Sequence, residues 1–151
     1  MSVIDKALAA ITPQPPEEKR AEATAKARAA AEPGDWLSLA LDHHDQIRQA
    51  FADGRRARTA EERVRAMKDL ALILNGHSLA GELVLYPAMA QCGHKMQAGA
   101  AYAEQTTAKM QMAELENIAP SSQAWADKWA HIEGADVLAI GIVDVERGSV
   151  R

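Results

Sequence analysis

The residues of this chain best suited to chemistry are imidazoles and carboxylates standing inside apolar runs. His77 and Glu82 lie five positions apart in HSLAGELVLYP, and His44 lies in DHHDQIRQAF. Imidazole nitrogen and carboxylate oxygen together suit iron, manganese or zinc. A helical core holds such an ion when several helices each aim a ligand at one level. Helical spacing therefore decides which residues qualify. The series Met67, Leu70, Leu74, His77, Gly81, Val84, Ala88 makes one buried face and points His77 inward. Gly81 takes the next inward turn, where a carboxylate would be best aimed, while Glu82 lies about 100° round the helix and must reach back. His44 belongs to the stripe Leu37, Leu41, His44, Ile47, Phe51, whereas His43 is rotated off it and reads as a surface neighbour.

Two further stripes add donors. Ala101, Gln105, Ala108, Met112 and Leu115 form one, with Glu104 at its edge. Trp129, Ile132, Asp136, Ala139 and Val143 form another, flanked by His131, Ala135, Leu138 and Ile142. His131 and Asp136 are both inward candidates. A buried carboxylate without a partner costs several kcal/mol or neutralises itself, so an inward Asp136 needs a metal, a cation or water. The candidate ligands are thus His44, His77, Glu82, Glu104, His131 and Asp136, and binding through them is pH-dependent because each imidazole must be neutral to ligate. Against this stands the plainer reading that a single histidine on an apolar helix face is a hydrogen-bonded core residue. Met67, Met89, Met96, Met110 and Met112 read as packing filler, and Trp125 with Trp129 as a core anchor.

The elements that must position these groups are helical throughout. At 151 residues, 48% apolar and 25% charged, the chain is sized for one domain of ordinary globular composition. Asp35 is placed to cap a helix that Asp53-Gly54 stops. Thr59 and Glu62 form a capping box for a second helix running to about Gln91, bent at Pro87. Cys92-Gly93 makes a turn, a third helix covers His94 to about Ile118, and Ser121 or Ser122 caps a fourth from Gln123 onward. The fold class expected is all-α, an antiparallel up-down four-helix bundle. Residues 1–34 read as a helical N-terminal arm: Val3 to Ile11 is a short amphipathic stretch, Pro13, Pro15 and Pro16 break it, and EEKRAEATAKARAAAE offers little to bury before Pro33-Gly34. VLAIGIVDV reads either as the end of the fourth helix or as an exposed apolar tail seeking another subunit, which would make the chain a homo-oligomer.

Charge and cysteine usage narrow the partners. A formal net charge of -4 argues against a general nucleic-acid binder, and the Arg55, Arg56, Arg58 cluster reads as solvated. A lone Cys92 forms no internal disulfide and is expected as a buried thiol. The N-terminus lacks the apolar core of a signal peptide, and no run approaches a membrane span, so cytoplasm is the expected compartment and no membrane partner is expected. Nucleophile elbow, phosphate loop and dinucleotide fingerprint are all missing, and no enzyme class is assigned.

DHHDQIRQAF, HSLAGELVLYP and the Glu-Gln of AYAEQTTAKMQM resemble the hemerythrin-like domain, also called the HHE cation-binding domain, over roughly residues 35 to 135. The resemblance implies a four-helix bundle over 35–151 whose core binds a non-haem di-iron centre, with the family's first- and second-helix histidines falling on His44 and His77. The chain departs from the family at Gly81, where a carboxylate is usual, at Gln105, where a histidine is usual, and over its last 15 or so residues, ADVLAIGIVDVERGSVR, which replace a His- and Glu-rich turn. One register of the last helix keeps His131 and Asp136 as ligands, and another leaves that helix without any. The implied function is binding or sensing of O2, NO or iron at a di-iron, incomplete or mixed-metal centre; the alternative is a metal-free bundle acting as an interaction or structural module.

Overall fold

Three helix starts fall where capping side chains place them. Asp35 accepts the Ser38 N–H at 2.6 Å and the Glu32 N–H at 2.8 Å. Thr59 Oγ1 accepts from the Glu62 N–H at 3.1 Å, and the Glu62 carboxylate accepts from the N–H groups of Thr59 at 3.1 Å and Arg58 at 2.7 Å. Ser122 Oγ accepts from the Trp125 N–H at 3.2 Å. In each case an otherwise orphaned first-turn donor gains a partner.

The computed structural model describes residues 16–147, and of 136–147 the helical backbone only; the amphipathic stretch Val3 to Ile11 lies outside them. The elements are α1 (Glu17–Ala30), α2 (Trp36–Arg56), α3 (Ala60–Ala80), a π-helical turn (Gly81–Leu85), α4 (Tyr86–Gln91), α5 (Lys95–Glu116) and α6 (Gln123–Arg147). The described residues contain no strand, and VLAIGIVDV belongs to α6 rather than to a strand. The helices pack bundle-like: α2 against α3 and α6, α4 against α5, α5 against α6. Helix α1 lies on α6 and α2, buries Ala27 completely and ties Arg28 to Asp42 and Asp45 of α2 at 2.6 Å each. No described helix is long and apolar enough to cross a membrane.

Three local expectations are corrected. Asp53-Gly54 does not stop α2, which continues to Arg56. Gly54 is instead a notch for an indole: a Cβ there would stand 2.0 Å from Cζ2 of Trp129. Cys92 is exposed rather than buried, because it sits in the turn that closes α4. There Gly93, at φ +94°, lets His94 N–H bond Met89 O at 2.9 Å and Gly93 N–H bond Ala90 O at 3.3 Å, the paired bonds of a glycine C-cap. Finally, the sharp bend expected at Pro87 is a widened turn. Proline has no N–H and its ring crowds the carbonyl four residues back; the chain answers with the π-turn, in which Tyr86 N–H bonds Gly81 O. The extra residue shifts the buried face, so Val84, expected inward, is 70% exposed, while Tyr86 is only 4% exposed.

The core is unevenly built. One end packs Ile47 and Phe51 of α2, Leu70 and Leu74 of α3, Met112 and Leu115 of α5, and Trp125, Trp129 and Ile132 of α6. Trp125 stacks on Trp129 at 4.9 Å and Phe51 meets Trp129 edge-on at 5.6 Å, and Trp129 Nε1 donates to Phe51 O at 3.2 Å. Arg63 lies over Trp125 at 5.2 Å and donates to Pro120 O and Ser122 O at 2.7 and 3.1 Å, clamping the α5–α6 connection to α3. The other end holds a smaller cluster of Tyr86, Ala98 and Ala101. By their places along α2, α3 and α5, His44, His77, Ser78 and Gln105 form the layer between the two ends.

Candidate functional site

His44 projects from the buried stripe of α2 and is 1% exposed, and His77 projects from α3 half-buried. Their rings meet at 5.0 Å between centroids with an interplanar angle of 63°. Two imidazoles from separate helices therefore face one another in the middle layer. His43, read from sequence as a surface neighbour, is half-buried and brings a third ring to 6.0 Å from His77. The only sequence signal for it is its adjacency to His44.

The neighbouring positions are filled in ways the sequence conceals. Ser78 is buried, and its Oγ donates to Gln105 Oε1, joining α3 to α5. Gly81, one helical turn beyond His77, bonds its N–H to His77 O. A Cβ on Gly81 would stand 2.7 Å from Cζ and 2.8 Å from Oη of Tyr86, so the tyrosine ring takes up the room in which a side chain at 81 would begin. Tyr86 in turn meets Tyr102 edge-on at 4.9 Å, and Tyr102 Oη donates to Glu82 O at 2.9 Å.

Two of the remaining sequence candidates, Glu82 and His131, have partners elsewhere. Glu82 is half-buried and its carboxylate is ion-paired with Lys109 Nζ at 2.5 Å, so it does not stand as a loose donor beside His77. Glu104 is half-buried on α5 next to Gln105. His131 is exposed on α6, with Nε2 3.4 Å from Gln111 Nε2. Gln111 lies six residues along α5 from Gln105, roughly 9 Å at helical rise, so His131 stands well over a turn from the level of His77. Asp136 lies on the backbone of α6, and its side chain is outside the described residues. Among the described residues no group of three or more His, Cys, Asp or Glu is placed to hold a metal ion.

Chemically, the layer offers imidazole nitrogen from two helices, a closed Ser78–Gln105 hydrogen bond, and a buried phenol over Gly81. Nitrogen donors from two chain segments can hold one divalent ion with several coordination positions left to water or a small molecule. Searched against protein-family models, curated proteins and solved structures, the chain matches none.

Proposed function

We propose that the chain is a hemerythrin-like antiparallel four-helix bundle that binds a transition metal ion, iron foremost, through His44 and His77, leaving open positions for a small ligand such as O2 or NO. The observation that carries this reading is the 5.0 Å approach of two imidazoles from different helices in the layer between the two halves of the core. The donor set suits one ion better than the di-iron pair of the family. On α3 and the π-turn the carboxylate positions are taken otherwise, since position 81 is glycine and Glu82 is paired with Lys109.

The second reading, a metal-free bundle serving as an interaction module, is favoured by the Ser78–Gln105 bond and the Tyr86 ring, which fill places that ligands take in the family. Exposed Leu72, Leu79 and Leu83 on one side of α3 and the π-turn would supply its contact surface. Metal analysis of protein purified from iron-supplemented cells separates the two. Under the first reading the wild type carries stoichiometric metal, His77→Ala and His44→Ala lose it, and chelation lowers the melting temperature; an ion at 100 times its Kd stabilises by about 2.7 kcal/mol. Metal at background and a melting curve unmoved by chelator would overturn that reading in favour of the second.

A further inference from the structure

We propose that Tyr86 is the third protein ligand of this site, giving a phenolate oxygen to a ferric ion held by His44 and His77; the proposal rests on the metal-binding reading above. The geometry behind it is the coincidence of Tyr86 Oη with the start of the missing side chain at Gly81, 2.8 Å from where its Cβ would stand. Gly81 lies one turn beyond His77 on the same face, and side chains so related have Cβ atoms about 5–6 Å apart. The phenol oxygen therefore lies within about 9 Å of the His77 Cβ. It also points the right way, because long helical side chains lean toward the helix N-terminus, which carries the Tyr86 ring back over Gly81 toward the histidine level.

The π-turn is what makes this alignment available. In a regular α-helix five residues turn through about 500°, which would swing residue 86 some 140° away from residue 81. The widened turn, closed by Tyr86 N–H on Gly81 O, brings the tyrosine back onto the buried face, where it is 4% exposed. Insertions of this kind recur at functional sites. Phenolate is an established protein ligand for iron, and it supplies the anionic oxygen that Gly81 cannot. On ligation the phenol O–H bond breaks, the proton passes to buffer and an oxygen lone pair goes to the ion; no electron changes hands. Tyr102, the neighbouring tyrosine on α5, whose hydroxyl donates to Glu82 O, serves as the control.

The full chain is loaded with ferric citrate, desalted, and followed by metal content, visible absorption and resonance Raman scattering. Wild type and Tyr102→Phe are expected to retain iron with a visible phenolate-to-iron charge-transfer band and phenolate vibrations. Tyr86→Phe, which keeps a ring in the Gly81 notch, is expected to lose the band and to bind at least about tenfold more weakly, the loss that even an outer-shell partner causes. Iron retained without the band in wild type, or a band that survives Tyr86→Phe, overturns the tyrosine assignment and leaves the histidine reading standing. No iron retained at all overturns both.

Discussion

Two glycines inside helices are expected to respond to alanine with opposite signs. At Gly54 an added Cβ would lie 2.0, 2.3 and 2.7 Å from Cζ2, Cε2 and Cη2 of Trp129. That indole has no room to retreat: it is stacked on Trp125, set edge-on to Phe51 and hydrogen-bonded to Phe51 O. Alanine gains about 1 kcal/mol of helix propensity over glycine. Displacing the ring costs about 1–3 kcal/mol of overpacking, and the indole hydrogen bond is worth about another 1 kcal/mol. The balance for Gly54→Ala is a loss of about 1–3 kcal/mol, or roughly 2–12 °C in Tm at this chain length. At Gly76 nothing stands within 4 Å of the added Cβ, so Gly76→Ala keeps the propensity gain and raises Tm by roughly 2–4 °C. Thermal melts followed by far-UV circular dichroism read both. A Gly54→Ala protein melting at or above wild type would refute the notch, whatever Gly76→Ala does.

Other perturbations follow from the caps and the π-turn. Thr59→Ala removes the capping side chain of α3 and is expected to cost about 1 kcal/mol in urea denaturation, with an unchanged midpoint counting against the capping box. The carboxyl groups of Asp35 and Glu62 are held below their ordinary range, Asp35 chiefly by the Ser38 N–H and Glu62 chiefly by the Arg58 N–H. Because their folded values are lowered, the stability they add is present above the ordinary carboxylate range and disappears as pH falls through the lowered values; Asp35→Asn with Glu62→Gln should flatten that acid limb of the stability curve, and an unaltered limb would contradict it. Gly81→Ala meets Tyr86 Cζ at 2.7 Å and is expected to destabilise by about 1–3 kcal/mol, with a change in near-UV dichroism as the Tyr86–Tyr102 pair shifts; a neutral variant would mean the ring yields freely.

Helix starts and stripes were legible in the sequence because they rest on local rules. Asp35, Thr59 and Ser122 cap where expected, and Leu41, His44, Ile47 and Phe51 are buried at the spacing that predicted them. The meeting of His44 with His77 was legible for the same reason, since two correctly phased stripes bring their inward residues together. What failed depended on partners far along the chain. Gly54 reads as a stop until Trp129, 75 positions later, is seen to need the space. The stripe beyond Gly81 broke because one residue inserted ahead of Pro87 rotates everything after it, turning Val84 out and Tyr86 in. Glu82 reads as a donor until Lys109 is found across the groove, and His131, adjacent to a true core stripe, fell on the solvent side of it.

The contrast between an aromatic-rich end and an alanine-lined end has a bearing on access. Burial of large side chains sets the local free energy of opening, so segments poor in such contacts detach in sub-global fluctuations long before the whole chain unfolds. The Tyr86–Ala98–Ala101 end is the weaker latch, and the histidine layer is the first thing behind it. Under the metal-binding proposal, an ion bound for His44 and His77 would enter by partial unlatching there while the tryptophan cluster keeps the helices assembled.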